Sequence, residues 1–331
     1  MRKRKRIFPS SCYDAGMYDD PTIDDIRDAA ERIAPHVHRT PVATCASIDA
    51  IAGTTLFFKC ENLQKVGAFK ARGAANAVFS LSDEEASRGV CTHSSGNHAA
   101  ALARAAGLRG VPAYIVMPSS APPVKRAAVA GYGALITECE PTLEARETTL
   151  AEVQGRTGAT FIHPYDDPRV IAGQGTAALE LLEQAPDLAV VMPPVGGGGL
   201  ASGTTITVTS LRPEIELWGA EPSGADDAFR SLRDGKLYPS VKPTTIADGL
   251  LTSLSDRTFR ILSGGLAGIL TVDEETIVRA MRLLWERAKI LVEPSGAVPL
   301  AAVLAHGERF AGRRIGLILS GGNANLDNLP W

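Results

Sequence analysis

Residues 89–118 read GVCTHSSGNHAAALARAAGLRGVPAYIVMP. The opening GVCTHSS predicts a strand, the alanine-rich GNHAAALARAAGL a helix, and VPAYIVMP a second strand. Two strands joined through a helix of ten or more residues run parallel, since an antiparallel pair needs only a tight turn. The alternation continues on both sides. SDEEASRG, just upstream, reads as a capped helix. Downstream come the helix APPVKRAAVAGYG, the strand ALITECE, the helix TLEARETTLAEVQGRTG and the strand ATFIHPY. Residues 82–163 therefore predict a small open α/β domain with a parallel sheet.

The flanks carry a second set of the same elements. TIDDIRDAAERIA predicts a helix with Thr22 as N-cap and Asp25 at the capping-box position, and TTLFFKCEN a buried strand. After residue 163, QGTAALELLEQ reads as a helix, and LAVVMPPVGGGGLASGTTITVTSLRP as strand, glycine loop and helix. IELWGAEP is a strand, DEETIVRAMRLLWERAKI and SGAVPLAAVLAHGERF are helices, and RRIGLILSGGN is a last strand ending in a glycine turn. The fold class is α/β with two open parallel-sheet domains, and a site is expected between them.

A chain of 331 residues suits two domains. A hydrophobic content of 45% with 21% charged residues is that of an ordinary globular protein, and no apolar run approaches a membrane span. The net charge of −3 gives no electrostatic case for nucleic acid or a membrane surface. Cys12, Cys45, Cys60, Cys91 and Cys139 are dispersed with no CxxC, which predicts reduced thiols and a cytoplasmic setting. Cys60 and Cys91 read as core positions. The basic N-terminal stretch MRKRKRIFPSSCYDAG lacks the apolar segment of a secretory signal and reads as a solvated tail.

Three stretches suggest chemistry. In KCENLQKVGAFKARGAAN, residues 59–76, Lys70 follows Phe69 and opens a helix. Desolvation and the positive helix end lower a lysine's pKa, and the neutral amine attacks carbonyls, so Lys70 is a candidate for a Schiff base. Gly196, Gly197, Gly198 and Gly199 join a Val-rich strand to a helix. Their N–H groups can converge on one point and cradle a phosphate, although the pattern is neither GxGxxG nor a Walker loop. Ser94, Ser95, Gly96, Asn97 and His98 form another strand-to-helix turn, able to hold a carboxylate or simply to cap the helix. Glu221, Asp226 and Asp227 could bind a hard cation or lie in solvent. His93, His98 and His163 flank these loops without metal spacing and read as supporting groups. An imine-forming lysine, a phosphate cradle and two polar strand-end loops together suggest pyridoxal phosphate.

The ordered set GAFKARGA, THSSGNHAAAL, AYIVMP, AGQGT, PVGGGGL, AEPSGADD and LSGGN resembles the serine/threonine dehydratase and serine racemase family of fold-type II pyridoxal phosphate enzymes, from about Thr22 to Leu326. The resemblance implies a homodimer. It also implies a small domain (82–163) that is inserted in a large cofactor domain (1–81 and 164–331) and moves to close the site. It implies that Lys70 carries the cofactor, that Phe69 flanks the ring, and that Asn97 bonds its hydroxyl. Gly196 to Gly199 would hold the phosphate and Ser320 would face the pyridine nitrogen. Ser94, Ser95, Asn97 and His98 would take the substrate carboxylate, with Ser95 as the acid/base on the face opposite Lys70. Arg146 and Thr252 match substrate-contacting positions. Glu221, the Ala225 carbonyl and Asp227 match a site for Mg2+ (or Ca2+ or Mn2+).

Some positions depart from the family pattern. Ala68 stands where a serine is frequent, and GAFK is associated more with the hydroxyaspartate dehydratases. Ala100 replaces a polar residue near the nucleotide site of eukaryotic racemases, which puts nucleotide activation in doubt. The lack of a regulatory domain after Trp331 resembles the catabolic deaminases. The expected activity is α,β-elimination from serine, threonine or 3-hydroxyaspartate, giving an oxo acid and ammonia, with racemisation as a side activity. Serine or aspartate racemase as the main activity is the alternative, followed by a β-replacement enzyme of the cysteine-synthase type. A non-catalytic phosphate-binding protein would use the glycine loop alone.

Overall fold

The computed structural model describes residues 20–121 and 123–331; the predicted N-terminal tail and Cys12 lie outside the described residues. The strands are β1 (Val42–Ala43), β2 (Thr55–Lys59), β3 (Val90–His93), β4 (Ala113–Pro118), β5 (Leu135–Cys139), β6 (Thr160–Phe161), β7 (Val190–Met192), β8 (Glu216–Pro222), β9 (Gly268–Val272) and β10 (Arg314–Ile318). They form two sheets. One has the order β5-β4-β3-β6 and the other β1-β2-β10-β7-β8-β9. Every pairing is parallel except β1 with β2. The four strands of the smaller sheet follow one another in the chain between β2 and β7 of the larger.

Both faces of the larger sheet are covered, which explains its unbroken apolar runs. Val190, Met192, Ile315 and Leu317 pack into one layer with Phe58, Trp218 and Leu300. Val191 and Ile318 point the other way, against Leu181, Leu200 and Val208. The smaller sheet is packed mainly by alanines of the helix Asn97–Arg109. Cys60 and Cys91 are buried, and burial pushes their thiols up to about 11 and about 12, so neither is a thiolate near neutrality. Among the described residues no helix is long and apolar enough to cross a membrane.

Several local predictions match the structure closely. Thr22 and Ser82 each close a capping box, with Asp25 and Glu85. Others differ. The strand expected over ATFIHPY stops at Phe161, because Pro164 has no N–H and His163 turns the chain. The helix expected from Gln174 begins at Pro168, where Asp167 caps it and proline occupies the first turn. The helix from Glu274 passes at Leu284 into a π-helical turn, which ends at Lys289 with φ +60°. The helices Ala46–Ala52, Asp227–Asp234 and Asp256–Gly265 and the strand β9 were not read from the sequence.

Three helices pack through backbone contact. A Cβ at Gly173 would lie 2.6 Å from the Gly73 Cα, and one at Gly203 2.5 Å from the Gly175 nitrogen. The helix Pro168–Gln184 is thus in backbone contact with Lys70–Phe79 through Gly173 and with Gly199–Leu211 through Gly175. Lys70 and the glycine loop stand at the N-terminal ends of the two outer helices.

Candidate active site

The lysine segment is joined to the end of β10. The Phe69 amide donates to the Ser320 carbonyl at 3.0 Å, the Gly322 amide to the Gly67 carbonyl at 2.9 Å, and Ala68 bridges Gly321. Lys70, Phe69 and the buried Ser320 are therefore neighbours. Lys70 is the first residue of its helix, and its Nζ lies 5.0 Å from the Phe69 ring centroid. Among the described residues its one hydrogen bond goes to the Pro164 carbonyl, 2.7 Å away. Burial pushes the amine down to about 8, within reach of neutral pH.

Gly196, Gly197, Gly198 and Gly199 are all buried. Among the described residues none of their four amides has a protein acceptor. Buried backbone N–H groups are rarely left so, and an anion at a helix N-terminus satisfies them. Side chains are excluded on the packed side of the loop. A Cβ would fall 2.9 Å from Leu250 at Gly196, 2.4 Å from the Tyr165 ring at Gly197, and 2.8 Å from Leu254 and Thr258 at Gly198. Gly198 also has φ +86°, a conformation side chains resist. These features fit the phosphate of the expected cofactor.

The turn Ser94–His98 leads from β3 into the helix Asn97–Arg109, and the amides of Ser95, Asn97 and His98 also lack protein acceptors among the described residues. Asn97 reaches the larger body. Its Nδ2 donates to Glu293 Oε1 at 3.0 Å, and its Oδ1 accepts from Asn323 Nδ2 at 2.8 Å. One Nδ2 hydrogen of Asn97 is left for a ligand. His98 donates from Nε2 to the Ile162 carbonyl at 3.2 Å, leaving a buried, unpartnered Nδ1. Burial, together with the Lys70 charge, holds His98 down at about 3 and His163 well below its ordinary value. His93 falls to about 4 through burial and the nearby Arg146. Burial thus favours the neutral form of all three rings.

Arg146 sits on the helix Leu143–Thr157 with a buried Nε that has no hydrogen-bond partner. Thr252 is exposed and makes no hydrogen bond to the other candidates. It follows the turn Asp248–Leu250, whose Gly249 and Leu250 pack on Gly196.

Glu221 lies near the end of β8 and accepts the amides of Ala228 (3.1 Å) and Phe229 (2.8 Å). Asp227 opens the next helix; both of its buried carboxylate oxygens lack a well-formed hydrogen bond, and the Ser240 hydroxyl makes only a weak approach to them. Burial raises Glu221 to about 9 and Asp227 to about 6. Among the described residues no group of three His, Cys, Asp or Glu side chains is arranged to hold a metal. The donor set here is two carboxylates and the Ala225 carbonyl, all oxygen, which suits a hard cation.

The sequence reading missed Glu293, Pro164 and Tyr165. Burial lifts the Glu293 carboxyl to about 7. Its only local signal was an acid before a proline that opens a helix. Tyr165 was hidden in a stretch read as strand.

Comparison with known proteins bears on the same residues. Residues 33–321 match the family described as "Pyridoxal-phosphate dependent enzyme". A beta-hydroxyaspartate dehydratase of Paracoccus denitrificans is 52% identical over 94% of this chain and 99% of its own length. The crystal structure of a serine racemase from Dictyostelium discoideum superposes with a TM-score of 0.89 at 50% identity, covering 92% of this chain and 99% of that one. The crystal structure of a T.th. threonine deaminase gives 0.88 at 46%, again over 92% and 99%. A depressed lysine beside buried amides that lack an acceptor is what an aldehyde cofactor with an anionic tail requires. With that chemistry and these relatives together, the chain belongs to the pyridoxal-phosphate-dependent enzymes, in the group that holds the hydroxy-amino-acid dehydratases and serine racemases.

Proposed function

We infer that the substrate is 3-hydroxyaspartate and that the reaction removes its β-hydroxyl and amino groups, yielding a four-carbon oxo diacid and ammonia. The observation that carries the elimination chemistry is Lys70, an amine held at about 8 in a helix N-terminus beside the Ser320 strand end. Two features support the choice of substrate. The Paracoccus relative bears that activity in its name, and Arg146 offers a buried guanidinium nitrogen without a partner, which a second carboxylate would satisfy.

Bound pyridoxal phosphate supplies an electron sink conjugated to the substrate nitrogen. Gly196 to Gly199 would hold its phosphate, Phe69 would flank the ring, and Asn97 would bond its hydroxyl. Ser320 would stand at the pyridine nitrogen as a neutral partner, which would favour prompt loss of the β-hydroxyl over a long-lived carbanion. The amides of the Ser94–His98 turn orient the α-carboxylate. Lys70 would take the Cα proton as general base and, so protonated, deliver it to the departing β-hydroxyl, which leaves as water. The released enamine hydrolyses to oxo acid and ammonia. Ser95, on the opposite face, returns a proton to Cα when racemisation competes, a second reading favoured by the 50% identity to a serine racemase. Glu221, Asp227 and the Ala225 carbonyl would hold Mg2+ or a similar cation. Residues 82–163 act as a small body that closes on the remainder, in a homodimer, and Thr252 enters the substrate pocket on closure.

The test is one panel: L- and D-serine, L-threonine and the hydroxyaspartate stereoisomers, assayed for oxo acid and for enantiomer, with and without magnesium. A hydroxyaspartate isomer should show the highest kcat/KM, and Arg146→Ala should cut its advantage over serine by about 10–100-fold, the worth of a charged hydrogen bond. Serine or threonine turned over as well as hydroxyaspartate would sink the substrate assignment. Lys70→Ala should lose both the visible band and turnover. Ser95→Ala should lose racemisation and spare elimination from the L-isomer.

A further inference from the structure

We propose that His163 is a positioning residue that sets the Pro164 carbonyl as the dock of the Lys70 amine while that amine is not joined to the cofactor. The proposal rests on the cofactor reading above. Its starting point is the short segment by which the chain leaves the smaller sheet at Phe161 and enters the helix capped by Asp167. His163 Nδ1 accepts the Asp166 amide at 2.8 Å and the Tyr165 amide at 3.3 Å. A ring nitrogen that accepts carries no proton, so the imidazole is neutral with its hydrogen on Nε2. The ring is also held edge-on by Tyr165, with centroids 4.5 Å apart at 88°, and by Phe161 at 5.6 Å and 72°.

The turn closed by this one lone pair serves both halves of the site. The Pro164 carbonyl, inside the turn, receives the Lys70 amine at 2.7 Å. The Tyr165 ring lies so close to the glycine loop that a Cβ at Gly197 would meet it at 2.4 Å. Asp166 is fastened from a third side, its carbonyl and Oδ1 accepting Arg257 Nη1 at 2.9 and 3.0 Å. A neutral carbonyl is a suitable rest for a reactive amine. It accepts an N–H whether the amine is charged or neutral, whereas a carboxylate there would raise the pKa that burial lowers. Losing the Nδ1 acceptor would strand two amides and loosen the carbonyl from its aim.

The experiment compares three variants of the full-length protein. In His163→Asn the side-chain oxygen takes the place of Nδ1 and can accept the same amides. His163→Leu keeps bulk without an acceptor, and His163→Gln places the acceptor one bond too far. The readouts are the rate at which the visible band forms when cofactor-stripped protein meets pyridoxal phosphate, the kcat and KM of the holoenzyme on its best substrate, and the urea midpoint. Leu and Gln should slow band formation and lower kcat by about tenfold with KM little changed, while Asn stays within about twofold of wild type. Leu or Gln matching wild type, or Asn as impaired as both at an equal urea midpoint, overturns the proposal. If Leu fails to fold, the contrast of Asn with Gln decides it. A wild-type chain that forms no band removes the cofactor reading and this proposal with it; a normal wild-type band with unaffected Leu and Gln removes this proposal alone.

Discussion

Among the described residues, the buried charges around Arg72 and those at Lys70 and Asp227 are furnished in opposite ways. Arg72, fully buried, donates to both oxygens of Glu61 at 2.7 and 2.8 Å and to both oxygens of Glu180 at 2.8 Å, with Thr176 beside it. Lys59 completes the set through Glu180 (2.6 Å), the Thr40 carbonyl (2.7 Å) and Gln184 (2.9 Å). Among the described residues, Lys70, two residues before Arg72, has a single neutral acceptor, and beyond the end of β8 the buried carboxylate of Asp227 has no charged partner in hydrogen-bond contact and only a weak approach from the Ser240 hydroxyl. The fully partnered group ties the Lys70 helix to the Pro168 helix and is scaffold. On the proposed reading the under-partnered groups are the ones that act, because an unmet buried charge costs free energy until a ligand arrives.

The largest effect should come from breaking the complete network. Arg72→Met leaves Glu61 and Glu180 without their main partner and should cost about 3–5 kcal/mol in urea unfolding. A loss below about 1 kcal/mol would show that the two groups do not differ as described. Next comes completion of the incomplete one. Magnesium at about a hundred times its dissociation constant should stabilise the wild type by about 2.7 kcal/mol, and Asp227→Asn should lose most of that gain. Equal gains in both proteins would place the cation elsewhere.

The pH dependence sharpens the contrast further. Folding without a cation raises Asp227 to about 6 and Glu221 to about 9, so the native state binds protons more tightly than the unfolded chain. That favourable contribution is complete at acid pH and fades as pH climbs through those values. A cation prefers the carboxylates, so the rise in melting temperature on adding magnesium should be small near pH 5 and grow toward about pH 9. A flat profile would disconnect cation and acids. The smallest effect concerns Lys70. Band formation with pyridoxal phosphate should rise with pH to a midpoint near 8, against about 10.4 for a solvated lysine.

What the sequence disclosed was mostly local. Thr22 with Asp25, and Ser82 with Glu85, announce their helices within four residues, and the glycine quartet announces a bare loop wherever it folds. Lys70 gained weight from the order of the motifs after it. What stayed hidden joins distant segments. Asn97 meets Glu293 across 196 positions, and Lys70 meets Pro164 across 94, and no periodicity within a single element encodes such partners. The turn at His163 was misread because Phe161 and Ile162 do continue a strand pattern; the imidazole's acceptor ends it, and only the folded contacts reveal that.

The packing of Gly73 on Gly173 and of Gly175 on Gly203 has a wider implication. Main chain touches main chain there, so the gauge between the amine and the anion cradle is fixed by van der Waals radii and cannot be trimmed by swapping one side chain for another. The separation of Lys70 from the glycine loop is therefore a property of how the three helices stack, out of reach of any one side-chain exchange.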